Sequence, residues 1–184
     1  MRKPAKPITA KYLENAATFY LERYPTTAEG LRRVLNRRVL KARRLDAPVI
    51  DNVDQTIASI VAKFVAAGVI DDKAFAQTKA RSLHRRGTST RVTQQRLKAA
   101  GVDAETVDQA MAALGEELHA DPQQREWRAA VAHARRKRLG PFRVAKDRAE
   151  RRQRDLAAMA RGGFAYDLAR KVIDAADADA LDEA

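Results

Sequence analysis

The side chains that could carry out chemistry are few, and their spacing argues against most reactions. The carboxylates of Asp71 and Asp72 suggest a metal pair for phosphodiester cleavage, but their position at a predicted helix start favours N-capping. The histidines, His84, His119 and His133, fall in separate predicted helices without an i,i+4 pair, so structural or surface roles fit better than metal binding. The absence of cysteine excludes disulfides, thiolate metal sites and cysteine nucleophiles. We therefore predict no catalytic residue, no metal and no cofactor.

Three further features also have structural explanations. Gly162 and Gly163 separate two predicted helices and are typical of a helix C-cap rather than a phosphate-binding loop. Trp127 fits the apolar stripe of its helix better than a platform for base stacking. The acidic C-terminal stretch from Asp174 lacks the central glycine and terminal glutamate of a calcium loop, and we expect it to fray.

Cations are the dominant chemical feature. The net charge is +12 and the isoelectric point is near 10.4, an excess that attracts polyanions, above all nucleic acid. Six cations converge on one predicted joint between two helices, which turns at Gly87. They are Arg81, Arg85 and Arg86 before the turn, and Arg91, Arg96 and Lys98 after it. We predict that this joint makes the main contact with DNA or a DNA–protein filament.

The elements that position these cations are short helices. Gly68 ends one helical pattern, Asp71 or Asp72 caps the next, and Gly87 and Gly101 close the two that follow. Earlier in the chain, Thr26–Glu29 predicts a capping box. Apolar residues at helical spacing predict the inner faces of the first three helices: Leu13, Ala16, Ala17, Tyr20, Leu21 and Tyr24; Leu31, Val34, Leu35, Val39 and Ala42; Val53, Ile57, Ile60, Val61, Phe64 and Val65.

The pattern repeats along the chain. The spacing of Leu97, Gly101, Val102, Ala110 and Met111 recurs at Met159, Gly163, Phe164, Val172 and Ile173. We predict an all-α fold of three tandem three-helix repeats that form an elongated, curved, solenoid-like body. The predicted divisions are a disordered basic arm (1–10), three repeats (11–70, 71–119 and 120–175) and an acidic tail (176–184).

Charge follows the repeat. Residues 1–44 carry 12 cations and 3 acidic side chains, residues 71–101 carry 8 and 2, and residues 125–161 carry 13 and 4. The third part of each repeat is acidic, and residues 102–124 contain 6 acidic side chains and no lysine or arginine. Repeats in register would present one basic and one acidic strip, which indicates a binding function rather than a merely solvated surface.

The central stretch resembles a known signature. GVIDDKAFA, followed by a basic helix ending RRG and a helix closed by AAGV, is similar to the motif of the RecX regulatory proteins. The matching residues include Gly68, Asp71, Asp72, Phe75 and Gly101, while Gly163 resembles the family's closing Gly-Tyr/Phe step. The resemblance implies a non-enzymatic modulator that lodges in the groove of the RecA–DNA filament and hinders ATP turnover, strand exchange and co-protease activity.

The expected partners are therefore the RecA filament and single-stranded DNA, with double-stranded DNA as a second candidate. Besides the six cations at the central joint, the expected contacts are Arg32, Arg33, Arg37, Arg135, Arg136, Lys137, Arg138, Arg151 and Arg152. Two alternatives stay open: a nucleic-acid-binding module without a protein partner, and an enzyme acting on nucleic acid, for which no residue argues. With no apolar run long enough to span a bilayer and no signal peptide, we expect a cytoplasmic monomer that does not bind membranes.

Overall fold

The computed structural model describes residues 7–181, and in that part of the chain the secondary structure is helical. Among these residues no strand forms, and the only pairing of strand type is a bridge between Ile8 and Val49. The α-helices, in chain order, are α1 (Ala10–Leu21), α2 (Ala28–Arg43), α3 (Val53–Ala66), α4 (Asp72–Arg85), α5 (Thr90–Ala99), α6 (Ala104–Glu117), α7 (Pro122–Lys137), α8 (Arg148–Arg161) and α9 (Tyr166–Ile173). Short 3₁₀ turns cover Gly140–Phe142, Ala145–Asp147 and Asp179–Leu181. This confirms the predicted all-α fold of three-helix repeats. No described helix is long and apolar enough to cross a membrane.

The chain packs as two compact units. The first runs to Phe75 and includes Ala100–Asp103, and the second consists of Ala76–Ala99 and the residues from Ala104 onwards. The first unit has its core between α1, α2 and α3, around Leu13, Leu35 and Ile57. A second core joins α7, α8 and α9 around Met159 and Val172. These units divide the chain inside α4, so the predicted repeat boundaries remain a prediction.

Most predicted inner faces are buried, with differences at helix ends. The five inward positions of α2 are all buried, from Leu31 to Ala42. Tyr24 and Val65, predicted to lie inside, are 55% and 46% exposed. They lie beyond Ala17 and Val61, the last buried residues of α1 and α3.

The predicted capping box at the start of α2 is wrong. Thr27 is the N-cap and accepts a hydrogen bond from the Gly30 amide at 2.9 Å. Glu29 does not cap the helix, because its carboxylate accepts hydrogen bonds from Arg32 at 2.7 Å and Arg33 at 2.9 Å. The free amide of Ala28 instead donates to the Asp72 carboxylate at 2.9 Å.

The arm predicted to be disordered and the tail predicted to fray both contribute to the fold where they are described. Ile8 is 3% exposed and belongs to the first core, and Thr9 caps α1. At the other end, Leu181 is 4% exposed and belongs to the second core, so the expectation that the tail frays is wrong for 174–181. The rest of the predicted arm and tail, residues 1–6 and 182–184, lies outside the described residues.

Two equivalent joints connect successive repeats. The Thr27 hydroxyl at the start of α2 donates to the Ala100 carbonyl at 2.5 Å. The Ser89 hydroxyl at the start of α5 donates to the Gly162 carbonyl at 2.8 Å. Both bonds span 73 residues. Each joint therefore ties the N-cap of one repeat's second helix to the end of the next repeat's second helix.

The glycine after each of these carbonyls makes the joint possible. A Cβ on Gly163 would lie 2.5 Å from the Ser89 hydroxyl oxygen, and one on Gly101 would lie 2.6 Å from Cγ of Glu29. Both glycines also have positive φ angles, 90° and 93°, which side chains disfavour. These two motif glycines therefore allow one repeat to approach the next.

Candidate nucleic-acid interface

The second unit brings basic side chains together around two grooves. The first groove encloses about 1210 Å³. Its apolar lining is Trp127, Val131, Leu168 and Leu181, and its cations are Arg85, Arg128, Arg135, Arg136 and Lys171. Glu126 also lines this groove, but its carboxylate accepts a hydrogen bond from the Thr90 amide at 2.8 Å and so caps α5. The first groove is therefore cationic with an apolar lining.

The second groove is smaller and more strongly basic. It encloses about 570 Å³, and its cations are Arg96, Arg136, Lys137 and Arg161. No acidic side chain lines it. Arg136 lines both grooves, so the basic lining continues from one to the other along the C-terminal half of α7.

His133 lines the second groove from a largely buried position. Its side chain is buried, its Nδ1 lies 3.0 Å from the Gly87 carbonyl, and its ring meets Phe164 edge-on at 5.3 Å between centroids. Burial lowers the pKa of His133, and the nearby Arg136 and Lys137 lower it further, while the bond to Gly87 acts in the opposite direction. The ring is therefore neutral near neutral pH.

The cations predicted from sequence separate into three groups. Arg85, Arg96, Arg135, Arg136 and Lys137 line a groove. A second group forms ion pairs: Arg32 and Arg33 with Glu29, Arg81 with Glu117, Arg151 with Glu150, and Arg152 with Asp174. The remaining residues are exposed away from both grooves: Arg37, Arg86, Arg91, Lys98 and Arg138.

The joint at Gly87 is thus less convergent than its sequence suggests. Of the six cations predicted to meet there, Arg85 lines the first groove and Arg96 the second. Arg81 turns toward Glu117 on α6, at 3.2 Å. Cations from α7 and α8 complete the basic surface instead.

Sequence reasoning missed four groove residues: Arg128, His133, Arg161 and Lys171. Arg161 had a usable signal, since it ends a helix before a glycine pair as Arg85 and Arg86 do before Gly87. His133 had none, because a lone histidine in an alanine-rich helix gives no sign of what it faces.

The motif residues at the start of α4 have structural roles. Asp71 caps α4 by accepting from the Ala74 amide at 2.8 Å, while Asp72 accepts from Ala28 in α2. Phe75 is half-buried, and Gly68 has a φ of 69° after α3. Within residues 7–181 no three His, Asp or Glu side chains form a cluster that could hold a metal ion. The two aspartates therefore connect and cap helices.

Comparison with known proteins agrees with this fold. The sequence model of the RecX second three-helix domain matches residues 71–111. The Regulatory protein RecX of Myxococcus xanthus (strain DK1622) is 43% identical over 176 residues, which cover 94% of this chain and 91% of that protein. The Regulatory protein RecX of Agrobacterium fabrum (strain C58) is 30% identical over 164 residues, or 88% of this chain and 82% of that protein.

Solved structures show the same architecture. The crystal structure of RecX from Lactobacillus salivarius matches with a TM-score of 0.57 at 18% identity, covering 95% of this chain and 97% of that one. A second crystal structure of regulatory protein RecX also gives 0.57 at 18% identity, over 90% of this chain and 72% of the other. Fold and surface define an all-α helical-repeat protein with a basic face. By its sequence relatives, the chain belongs to the RecX family of regulatory proteins.

Proposed function

We propose that this protein regulates the RecA recombinase by binding the RecA–single-stranded DNA filament and inhibiting ATP turnover, strand exchange and co-protease activity. The observation that carries the proposal is the family membership, given by 43% identity across nearly the whole chain. The basic grooves of the second unit supply a means of binding, because arginine and lysine side chains contact the phosphates of DNA.

The surface charges fit such a partner. Arg85, Arg96 and Arg136 line the grooves and form no ion pair among residues 7–181, so no carboxylate must be displaced before they bind a phosphate. Neutralising phosphates releases counterions, which gives affinity without sequence preference. That property suits a regulator that must act wherever a filament forms.

The acidic third helices offer a second kind of contact. Residues 102–124 contain no lysine or arginine, and Glu105 and Glu116 on α6 are exposed. Such a surface would complement basic protein surface while repelling DNA, which would orient the molecule on the filament. The protein would act as a cytoplasmic monomer, without catalysing a reaction itself.

A second candidate function is general nucleic-acid binding without RecA. The first groove favours this alternative, because cations beside the aromatic ring of Trp127 would bind any single strand. The two candidates predict different stoichiometry, because a filament regulator acts on an assembled polymer whereas a DNA-binding module must cover the free DNA.

Titration into a RecA–single-stranded DNA ATPase assay tests the proposal. We expect strong inhibition at amounts well below one molecule per RecA. Inhibition only when the protein exceeds the available DNA sites would support general DNA binding instead. Cleavage of the DNA in the presence of magnesium would indicate an enzyme and contradict both.

A further inference from the structure

The second groove concentrates positive charge from three helices. Arg96 lies on α5, Arg136 and Lys137 on α7, and Arg161 on α8. None of the four forms an ion pair among residues 7–181, and the groove lining contains no carboxylate. Their mutual repulsion is therefore not relieved by any acidic side chain lining the groove.

Helix ends explain how the fold tolerates this cluster. Helix α7 ends at Lys137 and α8 ends at Arg161, and Gly87, just past the end of α4, also lines the groove. The carbonyl ends of helices carry partial negative charge that stabilises nearby cations. This stabilisation is partial, so a bound anion would still gain from all four cations.

His133 adds a polar atom to this groove. The Gly87 carbonyl can only accept a hydrogen bond, so Nδ1, 3.0 Å away, must carry the proton and Nε2 is left with a lone pair. His133 is only 8% exposed, and Nε2 has no hydrogen-bond partner within residues 7–181. A Cβ on Gly162 would lie 3.0 Å from Cε1 and 3.1 Å from Nε2 of this ring, so any larger residue at position 162 would press against this edge of the ring.

We propose that this groove binds the sugar–phosphate backbone of single-stranded DNA, with one phosphodiester held beside Nε2 of His133 by Arg96, Arg136, Lys137 and Arg161. The inference deepens the proposed function and rests on it for the choice of DNA as the source of phosphate. The pocket contacts phosphate and not base edges, so it binds without regard to sequence.

Protonation of His133 would accompany binding. Every charged side chain that lines the groove is cationic: Arg96 from α5, Arg136 and Lys137 from α7, and Arg161 from α8. In the free protein these charges oppose an imidazolium. A bound phosphate neutralises part of this field and accepts a hydrogen bond from Nε2–H, so binding favours proton uptake. Affinity should therefore increase as pH falls.

Fluorescence anisotropy of a labelled thymidine oligonucleotide tests the proposal on the full chain. We expect Lys137→Ala with Arg161→Ala to weaken binding at least about tenfold, since two phosphate contacts are lost. Lys146→Ala with Arg154→Ala removes the same charge from exposed positions outside both grooves and should weaken binding less than about threefold. Equal losses in the two double variants would overturn the pocket and leave only non-specific attraction.

His133→Asn supplies a readout that charge alone does not. Asparagine can keep the donor to the Gly87 carbonyl but has no counterpart of Nε2. Between about pH 7.5 and 5.5, affinity of the parent should rise about fivefold more than that of the variant. If the variant unfolds, the NMR titration of the His133 ring in the parent decides instead: its pKa should rise when oligonucleotide is added, and an unchanged pKa contradicts the proposal.

Two comparisons separate this inference from its alternatives. Titrating ATP in the same assay tests whether free nucleotide is the source of the phosphate. If the parent binds ATP and the double variant binds DNA as tightly as the parent does, DNA is not the ligand of this groove. The RecA assay is independent. If the parent inhibits RecA and the double variant binds DNA as well as the parent, the pocket is overturned and the proposed function stands. If the double variant loses DNA binding but the parent does not inhibit RecA, the proposed function is overturned and the pocket stands.

Discussion

His133 and His84 show how burial beside cationic side chains lowers the pKa of a histidine. Burial lowers the pKa of His84, and Arg125 and Arg128 lower it further; burial also lowers that of His133. Both rings are therefore neutral in the folded protein near pH 7. In the unfolded chain they would regain the ordinary histidine pKa of 6.5.

This difference makes stability depend on pH. Since the unfolded state takes up protons more readily, the stability these histidines contribute is present above pH 6.5 and is lost as pH falls below it toward their folded pKa values. We expect the melting temperature to drop by a few degrees between about pH 7 and pH 5.5, measured by circular dichroism without DNA.

The carboxylates titrate at lower pH than the histidines. Hydrogen bonds to arginine or lysine lower the pKa of Glu14, Glu29 and Asp174 from 4.5, 4.5 and 3.8, so these carboxylates remain ionised between pH 7 and pH 5.5.

His133→Asn should show a smaller drop in melting temperature than the parent. A melting temperature that stays constant or rises as pH falls would contradict the assignment of neutral, buried rings.

Capping residues show what could be predicted at the residue scale. Asp71 was recognisable as a helix start because caps are local, and it accepts the predicted capping bond from the Ala74 amide. The prediction left open whether Asp71 or Asp72 is the cap, and the contact from the Ala28 amide to Asp72 could not be foreseen because the two residues lie 44 positions apart. Asp155 was missed for the same reason: it is buried and accepts hydrogen bonds from the Gly140 amide and from Arg143.

At the scale of elements, helix existence and type followed from apolar spacing and glycine positions, while the joints did not. The hydrogen bond from Ser89 to Gly162 and its counterpart from Thr27 to Ala100 join residues 73 apart. Sequence similarity between repeats indicated that equivalent contacts should exist. It could not say which atoms make them, because both capping hydroxyls look like ordinary local caps.

The joint glycines can be tested against a glycine that lies in no joint. Gly163→Ala should destabilise the fold by more than twice as much as Gly68→Ala, in chemical denaturation. Both have positive φ, 90° and 69°, at a cost of about 1–2 kcal/mol for alanine. Only Gly163 would also push a Cβ against Ser89, since a Cβ on Gly68 meets nothing within 4 Å. Equal losses would show that the joint tolerates expansion.

On the scale of the molecule, the alternation of basic and acidic segments was readable from sequence, but the grooves were not. Segment charge is a one-dimensional property, whereas each groove takes cations from at least three helices. Folding also removes some cations from the surface available to a ligand. Arg32, Arg33, Arg81 and Arg152 form ion pairs, so net charge overstates the number that can meet phosphate.

Small-angle scattering tests the predicted elongated body. The apolar stripes are too narrow for one large core, so we expect three stacked repeats to give a radius of gyration clearly above the value of about 16 Å for a compact globule of this length. A value at or below that figure would contradict the solenoid-like shape while leaving the helical repeats intact.

Salt dependence tests whether the cations bind phosphate. If the cations of both grooves together neutralise several phosphates, affinity for single-stranded DNA should fall with salt along a log–log slope of about −2 to −4, at roughly −0.7 per phosphate. A flat response would show that these side chains only solvate the surface.

The most direct test of the account is inhibition of the RecA–single-stranded DNA ATPase by a variant with three groove charges removed: Arg85→Ala, Arg96→Ala and Arg136→Ala. The matched control removes Lys79, Lys146 and Arg154, which are exposed and line neither groove. We predict that the groove variant inhibits at least about tenfold more weakly than the parent, a loss of about 1.4 kcal/mol or more, with unchanged melting, while the control stays within about threefold. Equal inhibition by the groove variant and the parent would contradict the claim that these grooves contact the filament.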